Sequence, residues 1–171
     1  GNLATAKEIK DAIQDADIII PVVYFNALQE FLQTFSTELE GKIIVDVSNP
    51  IAPDGNGGFK KIIGENESSG KILSELIPKN AKLVKAFGTL GVGSLLSQAF
   101  NKPEKKVLFY ASDSTNSNQQ IEALIISSGF VPFHVGGIDQ SIRIEVFGDL
   151  HEFGALGTTV TLVEAKNKVS R

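Results

Sequence analysis

The residues with the best claim to chemistry sit where apolar runs stop. Lys42–Ile51 reads Lys-Ile-Ile-Val-Asp-Val-Ser-Asn-Pro-Ile. Ile43–Ser48 has the β-branched content of a strand buried on both faces. Pro50 lacks an amide hydrogen and disfavours helix before it, so the strand must end at Asn49. Open α/β sheets receive ligands beyond the carboxyl ends of their strands, and a small polar pair placed there can meet one. Asn49-Pro50 is therefore a candidate ligand contact, set against the plainer role of a strand-ending turn. Tyr24 and Phe87 are aromatic residues at the ends of two other apolar runs. They suit a ring-binding wall, and equally a core. Asp46 interrupts its strand and, if buried, needs a partner, either a turn amide or Lys85.

The other polar residues offer less. His134 lies within a strand-like run and reads as structural. Asp54–Gly58 (Asp-Gly-Asn-Gly-Gly) suits either a lid or a solvated loop. Arg143, Glu145, His151 and Glu152 gather on a tail that reads as helical. Arg143 and Glu145 are two apart and share no helical face, so a surface or dimer-contact role is favoured. No two groups form an evident acid–base dyad. The chain has no Cys, which excludes disulfides, thiolate catalysis and Cys-based metal sites. Its 2 His exclude a His-rich metal site. The net charge of −4 and the scattered 16 Lys and Arg build no basic stripe for nucleic acid. No apolar run approaches the roughly 20 residues of a membrane span and no signal peptide is evident, so the expected compartment is the cytoplasm. A length of 171 residues suits one domain. With no Met in the chain, Gly1 is either natural or the remnant of a tag.

The elements that must position these residues follow from periodicity. Thr5-Ala-Lys-Glu8 reads as a capping box before a helix carrying Ile9, Ala12, Ile13 and Ala16. Ile18–Val23 is a strand, and Pro21 makes it an edge strand or one with an unpaired side. Asn26 is a plausible N-cap for a helix with Leu28, Phe31, Leu32 and Phe35. After the strand at 43–48, residues 51–69 read as a long Gly-rich loop. Ser69 opens a helix that stops at Pro78. Strands follow at 82–87, 106–111 and 131–135, with helices at 94–100 and around Ile121–Ile125. Ile138–Phe153 reads as an interrupted helix and Thr158–Val163 as a short strand. Strict alternation predicts five parallel strands joined by right-handed crossovers, with helices on both faces. The expected fold is an α/β, Rossmann-like three-layer sandwich with a mostly parallel sheet.

In sequence order, Asp46-Val-Ser-Asn-Pro50, Ser68-Ser69 before a helix ending at Pro78, Val84-Lys-Ala-Phe-Gly-Thr-Leu90, Ala111-Ser-Asp113 and Gly129-Phe-Val-Pro-Phe-His-Val-Gly136 form one string of turns. That string resembles the deazaflavin-dependent NADP oxidoreductase family and its dinucleotide-binding relatives, from Ala4 to about Leu156. The resemblance implies NADP binding and hydride transfer to or from a flavin- or deazaflavin-like acceptor. Carried over by position, it nominates Tyr24, Phe25, Ser48, Asn49, Pro50, Phe87, Gly88 and Thr89 as cofactor-binding residues. Such chemistry needs mainly two rings held close and water excluded, because the cofactor carries the reaction.

The sequence departs from that family at three places. The family's proline at Tyr24 has moved to Pro21, and its Asn or His after the Ala-Phe strand is Gly88. The fingerprint G-x-G-x-x-G, which sets a helix N-terminus against the pyrophosphate, does not occur. Gly91-Val-Gly93 lacks the third glycine. The chain therefore reads as the family's domain without its first β-α-β unit, with weak dinucleotide affinity of its own. Ile18–Val23 then forms an apolar sheet edge, and homodimerisation across it is expected. The alternative is a non-catalytic, dimeric remnant acting as a binding or scaffold module.

Overall fold

The computed structural model describes residues 3–169. In chain order these form α1 (Ile9–Gln14), β1 (Ile18–Ile19), α2 (Phe25–Thr34), β2 (Ile43–Asp46), β3 (Ile51–Pro53) and β4 (Phe59–Lys61). Then come α3 (Ser69–Ser74), β5 (Lys82–Lys85), α4 (Val92–Gln98), β6 (Val107–Ser112), α5 (Thr115–Ser127) and β7 (Val131–His134). A 3₁₀ turn at Ile138–Arg143 and α6 (Leu162–Val169) complete the chain. A five-stranded sheet has the order β1-β2-β5-β6-β7, and β3 and β4 form a separate hairpin.

Side-chain alternation along the central strands divides the core between two faces. Ile44 and Leu83 pack with Phe25, Leu28 and Leu32 of α2 and Leu73 of α3. Ile43, Val45 and Val84 point the other way, to Ile121 and Ile125 of α5. Val107, Phe109 and Ala111 of β6 face the tail, through Ile144, Leu150, Leu156 and Ala165. The sheet is thus the middle of three layers, as its apolar runs predict.

One strand direction differs from expectation. β1–β2, β2–β5 and β6–β7 are parallel, but β5 and β6 pair antiparallel, with Val84 opposite Ser112 and Lys85 opposite Ala111. The sheet is mostly parallel rather than wholly so. The reason lies in α4. None of its 7 residues is buried, so it does not cross a sheet face. It stands at the carboxyl end of β5, and the chain re-enters the sheet from that end. The carboxyl ends of β1, β2 and β5 therefore share a rim with the amino ends of β6 and β7.

Other boundaries also shift. β1 pairs only through Ile18 and Ile19, because Pro21 cannot donate. α1 begins after Glu8 with no side-chain cap, so the Thr5–Glu8 box does not form. Tyr24, not Asn26, occupies the N-cap of α2. Ser68 caps α3, accepting the Lys71 amide at 3.1 Å, and Ser69 is its first helical residue. The long Gly-rich loop holds the β3–β4 hairpin, whose turn is tied by the Asp54 carboxylate to the amides of Asn56 and Gly58. Thr158–Val163 forms no strand: Thr161 and Glu164 cap α6 instead, through the Thr161 amide and hydroxyl.

Candidate functional site

Asp46 is fully buried at the end of β2, and both predicted partners are present. Its Oδ1 accepts the Ser48 amide at 2.8 Å and the Ser48 hydroxyl at 2.7 Å. Its Oδ2 meets Lys85 Nζ at 2.7 Å, an ion pair out of reach of solvent. Lys85 Nζ also donates to the Ser48 carbonyl and, at 2.8 Å, to Ser69 Oγ. Glu145 closes the network from the tail. Its carboxylate accepts the Ser69 amide at 3.0 Å, the Ser69 hydroxyl at 3.0 Å and the Gly70 amide at 3.2 Å. Four segments are locked together by one lysine and two carboxyl groups, and the three N–H groups of the lysine are all used. Lys85 is a clamp on the Ser48–Asn49 turn, with no donor left for a ligand.

Above that clamp lies the Gly88 turn. Asn49 Nδ2 donates to the Gly88 carbonyl at 3.0 Å, and Asn49 Oδ1 accepts the Val146 amide at 2.7 Å. One amide N–H and one lone pair of Asn49 remain for a ligand. His151 Nε2 reaches the same Gly88 carbonyl at 2.8 Å, and its Nδ1 accepts the Phe153 amide at 3.0 Å. The Glu152 carboxylate takes the Gly91 amide and, at 2.6 Å, the Ser94 hydroxyl. Residue 88 must be glycine, since a Cβ there would sit 2.6 Å from the Val47 carbonyl oxygen. Phe87 before it holds a positive φ of 63°, which turns the chain sharply out of β5.

Three clefts meet at this rim, and Asn49 lines all of them. The first, of about 470 Å³, is walled by Ile20, Val47, Phe87, Leu90 and Leu95. A second, of about 290 Å³, lies across the Gly88–Gly91 turn between Phe59, Phe147, Phe153 and His151. A third, of about 750 Å³, runs past Tyr24, Ala27 and Ser48. The geometry offers narrow apolar slots with few polar groups, suited to holding flat rings away from water. Among the described residues no group of His, Cys, Asp and Glu could hold a metal ion.

Of the eight nominated residues, five line these clefts: Tyr24, Ser48, Asn49, Phe87 and Gly88. Phe25 and Thr89 do not. Phe25 belongs to the core under α2, and the buried Thr89 hydroxyl donates to the Phe109 carbonyl at 3.3 Å. Pro50 is buried, and its carbonyl receives the Ile62 amide from beyond the hairpin. His134 stacks on Tyr110 with centroids 4.9 Å apart, a structural role as expected.

The tail differs most from its sequence reading. Ile144–Phe153 is irregular rather than helical, and Glu145, His151 and Glu152 are buried contacts, not a surface cluster. Of the four, Arg143 alone is half-buried, and it pairs with Asp149 at 2.8 Å. Phe59, Phe147 and Phe153 carried no periodic signal, and neither did Glu145. The Asp46–Lys85 pair was legible as two charges inside buried strands, but the Ser69 and Glu145 contacts that complete it were not.

Residues 1–50 match the model of the family described as NADP oxidoreductase, coenzyme F420-dependent. The chain's first 50 residues are thus similar to that family. The chain is 24% identical over 144 residues to metalloreductase STEAP3 of Rattus norvegicus, covering 84% of this chain but 27% of that protein. The chain thus spans about a quarter of this curated relative's length. Among solved structures it is similar to the hypothetical protein SMa0349 of Sinorhizobium meliloti, with a TM-score of 0.73 and 29% identity over 89% of this chain and 69% of that one. A candidate F420-dependent NADP-reductase from Arthrobacter sp. FB24 shares the fold, with a TM-score of 0.66 at 18% identity over 77% of this chain and 60% of that one.

Proposed function

We propose that this chain holds the nicotinamide side of an NADP-dependent oxidoreductase and passes hydride between NADP(H) and a flavin- or deazaflavin-like acceptor. The observation that carries the reading is the pair of apolar clefts divided only by the Gly88–Gly91 turn, with Asn49 at their junction. Hydride transfer asks for two rings within contact distance and little water. Phe59, Phe147 and Phe153 give the smaller cleft the aromatic walls that an acceptor ring needs. Tyr24, Ser48, Asn49, Phe87 and Gly88 line the cofactor side, while Phe25, Pro50 and Thr89 support it from beneath. The group that NADP(H) supplies when bound is the hydride itself; these residues orient the ring and exclude water.

The sequence has no G-x-G-x-x-G, so these residues provide no pyrophosphate cradle. Reduced nicotinamide mononucleotide, which lacks the adenylate half, should therefore bind the chain about as well as NADPH. Saturation-transfer NMR with both compounds tests this, together with NADPH oxidation at 340 nm in the presence of riboflavin. Contact of neither compound with the protein would remove the reading. Binding without riboflavin-dependent oxidation would favour the second reading, a non-catalytic binding or scaffold module.

The reading extends to a homodimer in the cytoplasm. β1 bonds to β2 alone, and Ile20 beyond it is 39% exposed, an apolar edge suited to a second copy. Sedimentation velocity giving a monomer across the micromolar range would count against the dimer. No helix among the described residues is long and apolar enough to cross a membrane.

A further inference from the structure

His151 makes two bonds of opposite sense. Phe153 N–H can only donate, so Nδ1 must be the bare, accepting nitrogen. The Gly88 carbonyl can only accept, so Nε2 must carry the proton. The imidazole is 1% exposed, which leaves no solvent route to satisfy either nitrogen otherwise. Each bond holds one wall of the aromatic cleft. Gly88 opens the turn that divides that cleft from its larger neighbour, and Phe153 forms the outer wall, its ring 5.6 Å from the imidazole. Asn49 also donates to the Gly88 carbonyl.

We propose that His151 is a positioning residue, which as the neutral Nε2–H tautomer sets the separation between the Gly88 turn and the Phe153 wall and so the width of the acceptor cleft. The assignment rests on the oxidoreductase reading for what the cleft holds, but not for the coupling itself. An imidazolium has no acceptor for the Phe153 amide, so protonation must displace that wall. The charged groups facing the ring are Lys85 from β5 and Glu152 from the same segment. The Glu152 carboxylate is spent on Gly91 and Ser94, and Lys85 is spent within its clamp. Burial favours the neutral ring, and Lys85 acts in the same direction, against the opposing pull of the Gly88 carbonyl and Glu152.

Long-range ¹H–¹⁵N NMR of the two imidazoles, followed from pH 8 to 5, tests the coupling without any ligand. The expected result is an Nε2–H tautomer for His151 at neutral pH, with the Phe153 amide shifting in step with its protonation. An Nδ1–H tautomer, or a Phe153 amide indifferent to His151 protonation, would overturn the proposal. Riboflavin fluorescence quenching then reads the cleft. The native chain should lose about tenfold in affinity on acidification, which corresponds to about 1.4 kcal/mol. His151→Gln keeps a donor for Gly88 and His151→Asn keeps an acceptor for Phe153; both should bind more weakly with no acid dependence. Variants that keep the native pH profile would show a merely structural histidine and refute the proposal. If riboflavin is not bound at any pH, the acceptor reading falls, and the ligand-free NMR result alone decides the coupling.

Discussion

At the scale of single residues, the site is built from groups that cannot be exchanged one at a time. Lys85 and Asp46 are 1% and 0% exposed as side chains, and among the described residues each is the other's only countercharge within ion-pair distance. Removing one partner of a buried pair leaves an uncompensated charge and typically costs about 3–5 kcal/mol. Lys85→Met should lower stability by that amount in urea denaturation. Adding Asp46→Asn should restore part of it, because the residual cost is the orphaned carboxylate. A Lys85→Met variant as stable as the native chain would show the pair to be dispensable. Gly88 is constrained differently. A methyl group at residue 88 meets the backbone of Val47, which cannot rotate aside. Gly88→Ala should cost about 1–3 kcal/mol through the forced shift of two strand ends, and weaken nicotinamide binding with it.

At the scale of elements, α4 and the tail depend on one another. α4 has no fully buried residue; its half-buried Leu95 touches the core beside α5, and its N-terminus is held by Glu152. Hydrogen bonds to a charged group contribute about 1.5–3 kcal/mol. Glu152→Ala should therefore raise amide exchange across Val92–Gln98 by about ten- to a hundredfold, with the core strands unchanged. Uniform acceleration through β2 and β5 would instead mean that Glu152 supports the whole fold. The same two elements explain what was legible in the sequence. β-branched runs located the sheet strands, and Asn49-Pro50 marked the rim. Strand direction at β6 was not legible, because the stretch between β5 and β6 is long enough for either a crossover or a return. The decision rests on α4 staying off the sheet face, which is a tertiary choice. The tail was illegible for another reason. Its contacts are made by single side chains, Glu145, His151 and Glu152, on irregular backbone, where no period exists to be read.

At the scale of the whole molecule, two buried titratable groups bound the pH range over which the fold is most stable. His151 is held neutral, chiefly by burial, below its ordinary value of 6.5. The unfolded chain then binds more protons than the folded one as pH falls below 6.5, so stability drops there until the folded imidazole also titrates. Tyr110 lies at the opposite limit. Burial, followed by the hydrogen bond to the Glu122 carboxylate, raises its phenol above the ordinary 10.0. The unfolded phenol ionises first, so stability present below pH 10.0 is lost as pH rises past it. The expected profile is a plateau between these limits, with each limb no steeper than about 1.4 kcal/mol per pH unit for a single group. His151→Gln should flatten the acid limb and Tyr110→Phe the alkaline one, each leaving the other in place. Urea midpoints measured from pH 5 to 11 check both. If His151→Gln leaves the acid limb as steep as before, the imidazole at the cleft does not set the acid limit of the fold.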